Sequence, residues 1–158
     1  MALQEGMNTF CTIEYAEEYF GGKVFADEWD EADATTKEKA LKEATRRINR
    51  LKFKGLKADS GQVLEFPRQY PEVSNFAIGY VEQEEIPEEV KAATCEEALA
   101  TLKYGNSART KAQEQNVVSV KMGDVSETYE KGNRAGKLYS KEAYILLEGY
   151  IVGAVAIW

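Results

Sequence analysis

The 158-residue chain contains no histidine. Histidine is the commonest general base, a common metal-binding side chain and the side chain that titrates nearest to neutral pH. Catalytic groups that depend on histidine, from serine–histidine pairs to histidine-bound metals, are therefore excluded. The many acidic residues form no pair that the sequence marks as catalytic. We name no catalytic residue, and we expect no enzyme activity, no cofactor and no metal.

Cysteine and long apolar runs are also scarce. The two cysteines, Cys11 and Cys95, lie far apart and form no CxxC motif. This predicts two reduced thiols and neither a disulfide framework nor a zinc site. Residues 1–8 lack the basic start and apolar run of a secretory signal. The apolar C-terminal run, residues 144–158, is shorter than the ~20 residues that span a bilayer. We expect a cytoplasmic product and no membrane association.

The composition is that of a soluble globular domain. Hydrophobic residues make up 44% of the chain, charged residues make up 30%, and the net charge is −7. Since nucleic-acid affinity comes mainly from Lys and Arg, the acidic excess argues against a whole-molecule attraction to phosphate backbones. A local basic patch remains compatible with these totals.

Helical periodicity and capping residues predict a mainly α fold. Thr12 has the position of an N-cap for a first helix. A second helix is predicted to begin at Thr35, because Glu38 stands three residues later in the capping-box spacing. Pro87 suits the first position of a third helix, and Ser140 can cap the last one. Gly55 is predicted to end the second helix, and Gly105 is predicted to end the third.

Two segments between the predicted helices have sequences that do not favour a helix. Residues 57–85 are punctuated by glycine and proline, which predicts a long ordered loop with little regular structure. Apolar residues are expected to hold this loop to the core: Phe66, Tyr70, Phe76, Ile78, Tyr80 and Val81. Further on, Gly123-Asp124 separates two β-prone runs, which predicts a β-hairpin.

The predicted architecture is one domain, a small helical bundle with one β-hairpin and long ordered loops. Its parts are a mobile N-terminus at 1–10, a helical core at 12–104, the hairpin at 116–130, and a C-terminal helix with an apolar tail at 140–158. Within the core, Trp29 and Cys95 are predicted to be buried.

Two motifs resemble known ligand loops, but each lacks a residue that the chemistry needs. Residues 132–138 are one residue short of a phosphate loop, and Leu138 stands where a metal-binding hydroxyl is required. Residues 27–38 have the length of a calcium loop, but Trp29 replaces a ligand and Ala32 replaces the turn glycine. We interpret both as surface segments.

A basic block at 37–57 and an acidic block at 82–97 are complementary in charge. The basic block is compatible with a solvated face, with subunit contacts, or with a single-strand binding surface that uses Phe53 and Tyr70 for stacking. We prefer charge complementarity, within one subunit or between neighbours. The candidate subunit contacts are Lys39, Lys42, Arg46, Arg50, Glu84, Glu85, Glu88 and Glu89.

Several short runs, in this order, carry a family resemblance. They are Tyr15-Ala16-Glu17-Glu18-Tyr19-Phe20, Trp29, Ala40-Leu41, Ala44-Thr45-Arg46-Arg47-Ile48, Leu51-Lys52-Phe53-Lys54-Gly55, Phe66-Pro67-Arg68 and Ile86-Pro87-Glu88-Glu89-Val90. This order resembles the small tailed-phage proteins called head-tail connectors, adaptors or head completion proteins. Many such sequences carry the label of DnaT-like single-stranded DNA-binding proteins.

The resemblance implies a mainly helical virion protein that forms a ring, usually of twelve subunits, beneath the portal protein. Such a ring sits at the head-tail junction after assembly in the host cytoplasm. It extends the channel for double-stranded DNA without binding the DNA specifically, and it contacts the next connector or tail-completion protein. Candidate portal or tail contacts are apolar residues of the hairpin and tail: Val118, Val120, Met122, Val125, Val155, Ile157 and Trp158. The alternative is a DnaT-like replication accessory protein that binds single-stranded DNA.

Overall fold

Helices make up more of the structure than strands do, in a computed structural model that describes residues 2–73, 75–106, 119–122, 125–128 and 138–153. Within these residues the helices are α1 (Ile13–Gly21), α2 (Asp27–Glu31), α3 (Ala34–Asn49), α4 (Glu88–Tyr104) and α5 (Lys141–Leu147), followed by a 3-10 turn at Glu148–Tyr150. The prediction of a mainly α fold is confirmed.

The predicted caps of the first and last helices are confirmed. The Thr12 hydroxyl accepts a hydrogen bond from the backbone N–H of Tyr15 at 3.1 Å. The Ser140 hydroxyl accepts one from the backbone N–H of Ala143 at 3.0 Å. Each bond satisfies one of the backbone donors that a helix start leaves unpaired.

The predicted starts of α3 and α4 are displaced by one or two residues. Asp33 caps α3 by accepting from the backbone N–H of Thr36 at 2.7 Å, so Thr35 lies inside the helix and the prediction of a Thr35 cap is wrong. Asp33 is an equally good capping residue and comes first along the chain. Pro87 is the N-cap of α4 and not its first helical residue, so the helix begins one residue later than predicted.

The N-terminal segment packs on the core, contrary to the prediction that residues 1–10 are mobile. Thr9 and Phe10 are fully buried. Glu5 forms an ion pair with Lys91 of α4 at 2.8 Å. The overall polarity of the first eight residues does not reveal this packing, in which Leu3 contacts the core and Thr9 and Phe10 are buried.

Helix α4 lies at the centre and is buried along most of its length. On one side it packs with α1, α2 and α3 around Trp29, which is fully buried as predicted. The predicted burial of Cys95 is also confirmed, and its sulfur lies 4.0 Å from that of Cys11. The other side packs with α5 and the aromatic rings of Phe10, Phe53 and Phe66.

A three-stranded antiparallel sheet occupies the region where a loop is predicted. Its strands, β1 (Leu56–Lys57), β2 (Arg68–Val73) and β3 (Ile78–Glu82), lie in that order across the sheet. The prediction of little regular structure over 57–85 is therefore wrong. Pro71 lowers the strand propensity of β2, and among the described residues the outer part of the hairpin packs on no core that would give it a buried and an exposed face.

The second hairpin has the predicted strands. β4 (Ser119–Met122) pairs antiparallel with β5 (Val125–Thr128), with Met122 opposite Val125. Gly123 and Asp124 lie outside the described residues.

After α5 the chain packs on the core, as predicted for part of the C-terminal segment. Leu147 is fully buried, and Ile151 forms an antiparallel bridge with Phe53. The rest of the predicted apolar tail, residues 154–158, lies outside the described residues.

Candidate interaction surface

The β2–β3 hairpin is joined to the core through the buried guanidinium of Arg68. Arg68 donates to the backbone carbonyls of Phe53 (3.3 Å), Lys54 (2.7 Å) and Gly55 (2.8 Å). It also donates to the carbonyl and the carboxylate of Glu65, at 3.1 and 2.6 Å. The planar fork of arginine is suited to such convergent acceptors. One side chain thus connects the first residue of β2 to the segment that follows α3.

Gly55 lies at a close approach to β2. Its φ is +76°, and a Cβ atom placed there would lie 2.4 Å from the carbonyl oxygen of Gln69 and 2.8 Å from the ring of Tyr70. Only glycine combines this backbone conformation with this contact. The prediction that Gly55 stops a helix is wrong, since α3 ends at Asn49.

The attachment of the hairpin to the core by Arg68 and Gly55 is called the hairpin root below. Beyond it, the hairpin presents apolar side chains to solvent. Val73 pairs with Ile78 and Pro71 pairs with Tyr80, so these four side chains share one face. Val73 is 77% exposed, Ile78 is 81% exposed, and Phe76 in the connecting turn is 98% exposed. β3 is an edge strand within the described sheet. An exposed apolar face of this kind commonly marks a protein contact.

The hairpin corrects the expectation that its apolar residues hold a loop to the core. Phe66 is buried and Tyr70 is half-buried, in agreement with that expectation. The other predicted anchors are exposed: Phe76, Ile78, Tyr80 and Val81. The β-branched and aromatic residues Ile78, Tyr80 and Val81 are the sequence signal that favours a strand here.

The basic candidate contacts form one wall of an open groove between α3 and α4. The groove encloses about 380 Å³, and its lining residues are Thr36, Lys39, Ala40, Lys42, Glu43, Arg46, Thr101 and Leu102. Lys39, Lys42 and Arg46 follow helical spacing along α3. Arg46 is 3.1 Å from Glu43, and Lys42 is 4.0 Å from Glu38. Arg50 is exposed at the C-cap of α3, outside the groove.

The acidic candidate contacts lie near the other end of α4. Glu84 and Glu85 are exposed between β3 and α4. Glu88 accepts a hydrogen bond from the Tyr15 hydroxyl at 2.9 Å, and Glu89 accepts one from the Tyr150 hydroxyl at 3.2 Å. Burial, with the neighbouring Glu89, raises the pKa of Tyr150 to about 12. The structure brings Lys39, Lys42 and Arg46 together along the groove and the acidic set together near the start of α4, whereas Arg50 lies apart from both at the end of α3.

The two charge blocks meet within the subunit at a different pair, Arg47 and Glu97. The Glu97 carboxylate is fully buried and accepts from Arg47 Nε at 3.1 Å. It also accepts from the backbone N–H groups of Tyr139 (2.9 Å) and Ser140 (2.8 Å), which fixes the start of α5 against α4. Burial raises the pKa of Glu97 above its usual range. The complementarity predicted from the sequence is here intramolecular.

Of the two aromatic residues proposed for base stacking, Tyr70 is half-buried and Phe53 is not accessible. Phe53 is buried, and its ring packs edge-on against Phe66 at a centroid distance of 4.7 Å. The apolar candidates of the other hairpin, Val120, Met122 and Val125, lie in β4 and β5. The remaining candidates lie outside the described residues: Val118, Val155, Ile157 and Trp158.

Similarity to known proteins extends over nearly the whole chain. A family model described as "Putative DnaT-like ssDNA binding protein" matches residues 2–156. Neither a curated protein nor a solved structure matches. Among the helices in the described part of the chain, none is both long and apolar enough to cross a bilayer.

Proposed function

We propose that this chain, which belongs to the family of DnaT-like ssDNA binding proteins, is a structural assembly protein of a tailed phage. In this proposal it is a head-tail connector that forms an oligomeric ring, with twelve subunits by resemblance, beneath the portal. The ring extends the DNA channel and receives the next connector or tail-completion protein. It is assembled in the host cytoplasm and remains in the virion at the head-tail junction.

The observation that carries the proposal is the projecting β2–β3 hairpin. Phe76 is 98% exposed and Ile78 is 81% exposed, although the core of the same domain is well packed. Folding gains little from side chains left in water, because the hydrophobic contribution scales with the apolar area that is buried. A contact with another subunit or particle component would bury them.

The hairpin root supports the same function. Arg68 makes five donor contacts with the residues that precede β1 and β2, and Gly55 allows β2 to approach closely. A hairpin held in this way has a defined direction relative to the helices before it binds. Preorganisation of that kind lowers the entropy lost on association.

The net negative charge fits a channel through which DNA slides. Acidic walls do not retain phosphate groups, whereas Lys and Arg contacts give strong and salt-dependent binding. The proposal predicts that residues facing the lumen of the assembled ring are mainly Asp and Glu. A lumen lined mainly by Lys and Arg would argue against it.

Electron microscopy of particles made in the absence of this chain tests the proposal. The gene is interrupted in the phage, and the lysate is imaged while phage DNA synthesis is followed in parallel. Separate heads and tails with normal DNA synthesis are expected for a connector. Loss of phage DNA synthesis before heads appear would instead support a replication role.

A second candidate function is binding of single-stranded DNA, and the family description favours it. The α3–α4 groove contributes Lys39, Lys42 and Arg46. Its described lining contains no aromatic residue, and Phe53 is buried, so the stacking that such sites use is not provided there. The test is fluorescence anisotropy of a labelled oligothymidine at two salt concentrations. Steeply salt-dependent binding that Lys39→Glu abolishes would establish this function.

A further inference from the structure

We propose that the β2–β3 hairpin of one copy docks into the α3–α4 groove of a second copy, so that subunits join head to tail. This inference deepens the proposed assembly function and rests on it. It assigns the two surfaces of the subunit contact, and it makes the neighbouring copy of the same chain the occupant of the groove.

The two surfaces lie at opposite ends of one helix pair. α3 and α4 are antiparallel, because Thr36 near the start of α3 lines the groove with Leu102 near the end of α4, while Arg47 near the end of α3 pairs with Glu97 earlier in α4. The hairpin leads into the start of α4, which is the other end. At about 1.5 Å per residue, the 17 residues of α4 span roughly 25 Å. A hairpin is therefore well separated from the groove of its own subunit.

This separation determines the kind of assembly. A contact between two different surfaces is heterologous, and repeating it closes a ring if the rotation between subunits allows. A contact that joined two hairpins to each other would be isologous and would stop at a dimer. The positions of the two surfaces therefore agree with a ring built from one repeated contact.

The charges of the two surfaces are opposite. Glu82 follows Ile78 and Tyr80 at alternate positions of β3, so its carboxylate shares their face of the hairpin. Glu84 and Glu85 are exposed just beyond it. The α3 wall of the groove carries three basic residues and one acidic residue, Glu43, which pairs with Arg46 at 3.1 Å, so the wall keeps a net positive charge. The floor is formed by less polar residues. The basic wall residues are Lys39, Lys42 and Arg46, and the floor residues include Ala40 and Leu102.

The shapes are also compatible. The groove volume of about 380 Å³ is near the lower end of the range of roughly 300 to 1,000 Å³ that ligand pockets show. That space accepts one or two side chains and not a large ligand. The hairpin offers one exposed aromatic residue in its turn, Phe76, next to a narrow two-stranded stem. Phe76 entering the groove would bring the acidic stem toward the basic wall.

Charge reversal with rescue tests the contact in the full-length chain. The hairpin-reversed protein carries Glu82→Lys and Glu84→Lys, and the groove-reversed protein carries Lys39→Glu and Arg46→Glu. All four side chains are exposed, so circular dichroism and thermal unfolding should match the wild type. Sedimentation velocity over a range of concentrations then measures self-association of each protein alone and of an equimolar mixture.

The expected result follows from the arrangement. The wild type self-associates, and each reversed protein has a dissociation constant at least tenfold weaker, because like charges then face each other. The mixture regains association, since the lysine hairpin meets a glutamate groove and the glutamate hairpin meets a lysine groove. Phe76→Ser weakens association, whereas the control Phe25→Ser, an exposed phenylalanine between α1 and α2, leaves it unchanged.

Three results would overturn the inference. Association lost in the hairpin-reversed protein alone would indicate pairing between hairpins along β3. Association retained in both proteins would place the subunit contact elsewhere and would leave the connector proposal intact. A wild type that stays monomeric at every concentration would show that the hairpin does not bind a second copy. In the last two cases, imaging of particles without the chain still decides the proposed function.

Discussion

The helical core and the β2–β3 hairpin both depart from the usual placement of side chains, the core by burying a charged group and the hairpin by exposing apolar ones. The core buries the ionisable Glu97 among helices, and the hairpin exposes Phe76 and Ile78 to solvent. Burial of the carboxylate is compensated by Arg47 and two backbone N–H groups. The hairpin has no such compensation within the described residues. The core is complete within one chain, whereas we interpret the hairpin as a surface that another subunit completes.

The junction between the two regions should be the most sensitive position. Arg68→Ala removes five donated hydrogen bonds and leaves the carbonyls of Phe53, Lys54 and Gly55 without this partner. Loss of a buried, charge-assisted network should lower the free energy of unfolding by about 3 kcal/mol or more. Urea denaturation measures the loss.

Hydrogen exchange shows where the Arg68→Ala effect falls. Amides of β2 and β3 should lose protection more than those of α4, because the hairpin loses its attachment while the helices keep theirs. Arg68→Lys is the matched control and should be intermediate, since an ammonium cannot reach all the acceptors of the fork. Equal loss of protection in both regions would contradict a separate hairpin root.

Gly55→Ala should produce the next largest effect. The φ of +76° is unfavourable for alanine, and the added methyl group would collide with backbone of Gln69 and the ring of Tyr70. We expect a loss of about 1 to 3 kcal/mol in the free energy of unfolding. The control is Gly79→Ala in β3, where nothing lies within 4 Å of the new Cβ. Similar losses in both variants would show that Gly55 has no special role.

In the helical core, the buried Glu97 should make the free energy of unfolding depend on pH. Burial raises the pKa of Glu97 in the folded protein above its ordinary value of 4.5. At pH values between 4.5 and the raised pKa of the folded protein, the folded state binds more protons than the unfolded state. The contribution of Glu97 to stability is therefore greatest at low pH and falls as pH rises through this window, by at most about 1.4 kcal/mol per pH unit.

The variant Glu97→Gln isolates this contribution because glutamine does not titrate. Urea denaturation from pH 4 upward, in about one-unit steps, should show the wild type losing stability relative to Glu97→Gln. Other groups, such as Glu17 with its lowered pKa beside Lys37, affect both proteins equally and cancel. Parallel stability curves would mean that burial does not raise the pKa of Glu97.

The smallest effect on stability should come from the hairpin turn. Phe76→Ser changes a side chain that is 98% exposed, so the free energy of unfolding should change by less than about 0.5 kcal/mol. Thermal unfolding of the dilute chain checks this. A loss of more than about 2 kcal/mol would show that Phe76 contributes to the fold, as a large effect requires a packing role.

Local patterns predicted four of the five helices in the described residues, and α2 was not predicted. Thr12 and Ser140 cap α1 and α5 because capping depends on residues within one turn. Cys95 is buried because helical spacing fixes the apolar face on which a residue lies. Trp29 is buried as expected of a large aromatic side chain, but the sequence did not predict the short helix α2 in which it lies. The β4–β5 strands follow from a two-residue turn signal.

The sheet and the root of the hairpin depend on contacts that the local pattern does not specify. Arg68 stands in a run that carries the family resemblance, but three of its five acceptors, the carbonyls of residues 53–55, lie 13 to 15 residues away along the chain. The apolar residues of β3 were expected in a core, because composition does not distinguish a core strand from an interface strand. Such a distinction needs the position of the strand relative to the helices.

The most direct test of the account is to place Phe76→Ser and Ile78→Ser together in the phage and to image the particles. Predicted are filled heads separated from tails, with normal DNA synthesis and normal amounts of folded protein. The same phage carrying Phe25→Ser should give joined particles. Joined, infectious particles from the hairpin variant would contradict the claim that this exposed surface assembles the virion.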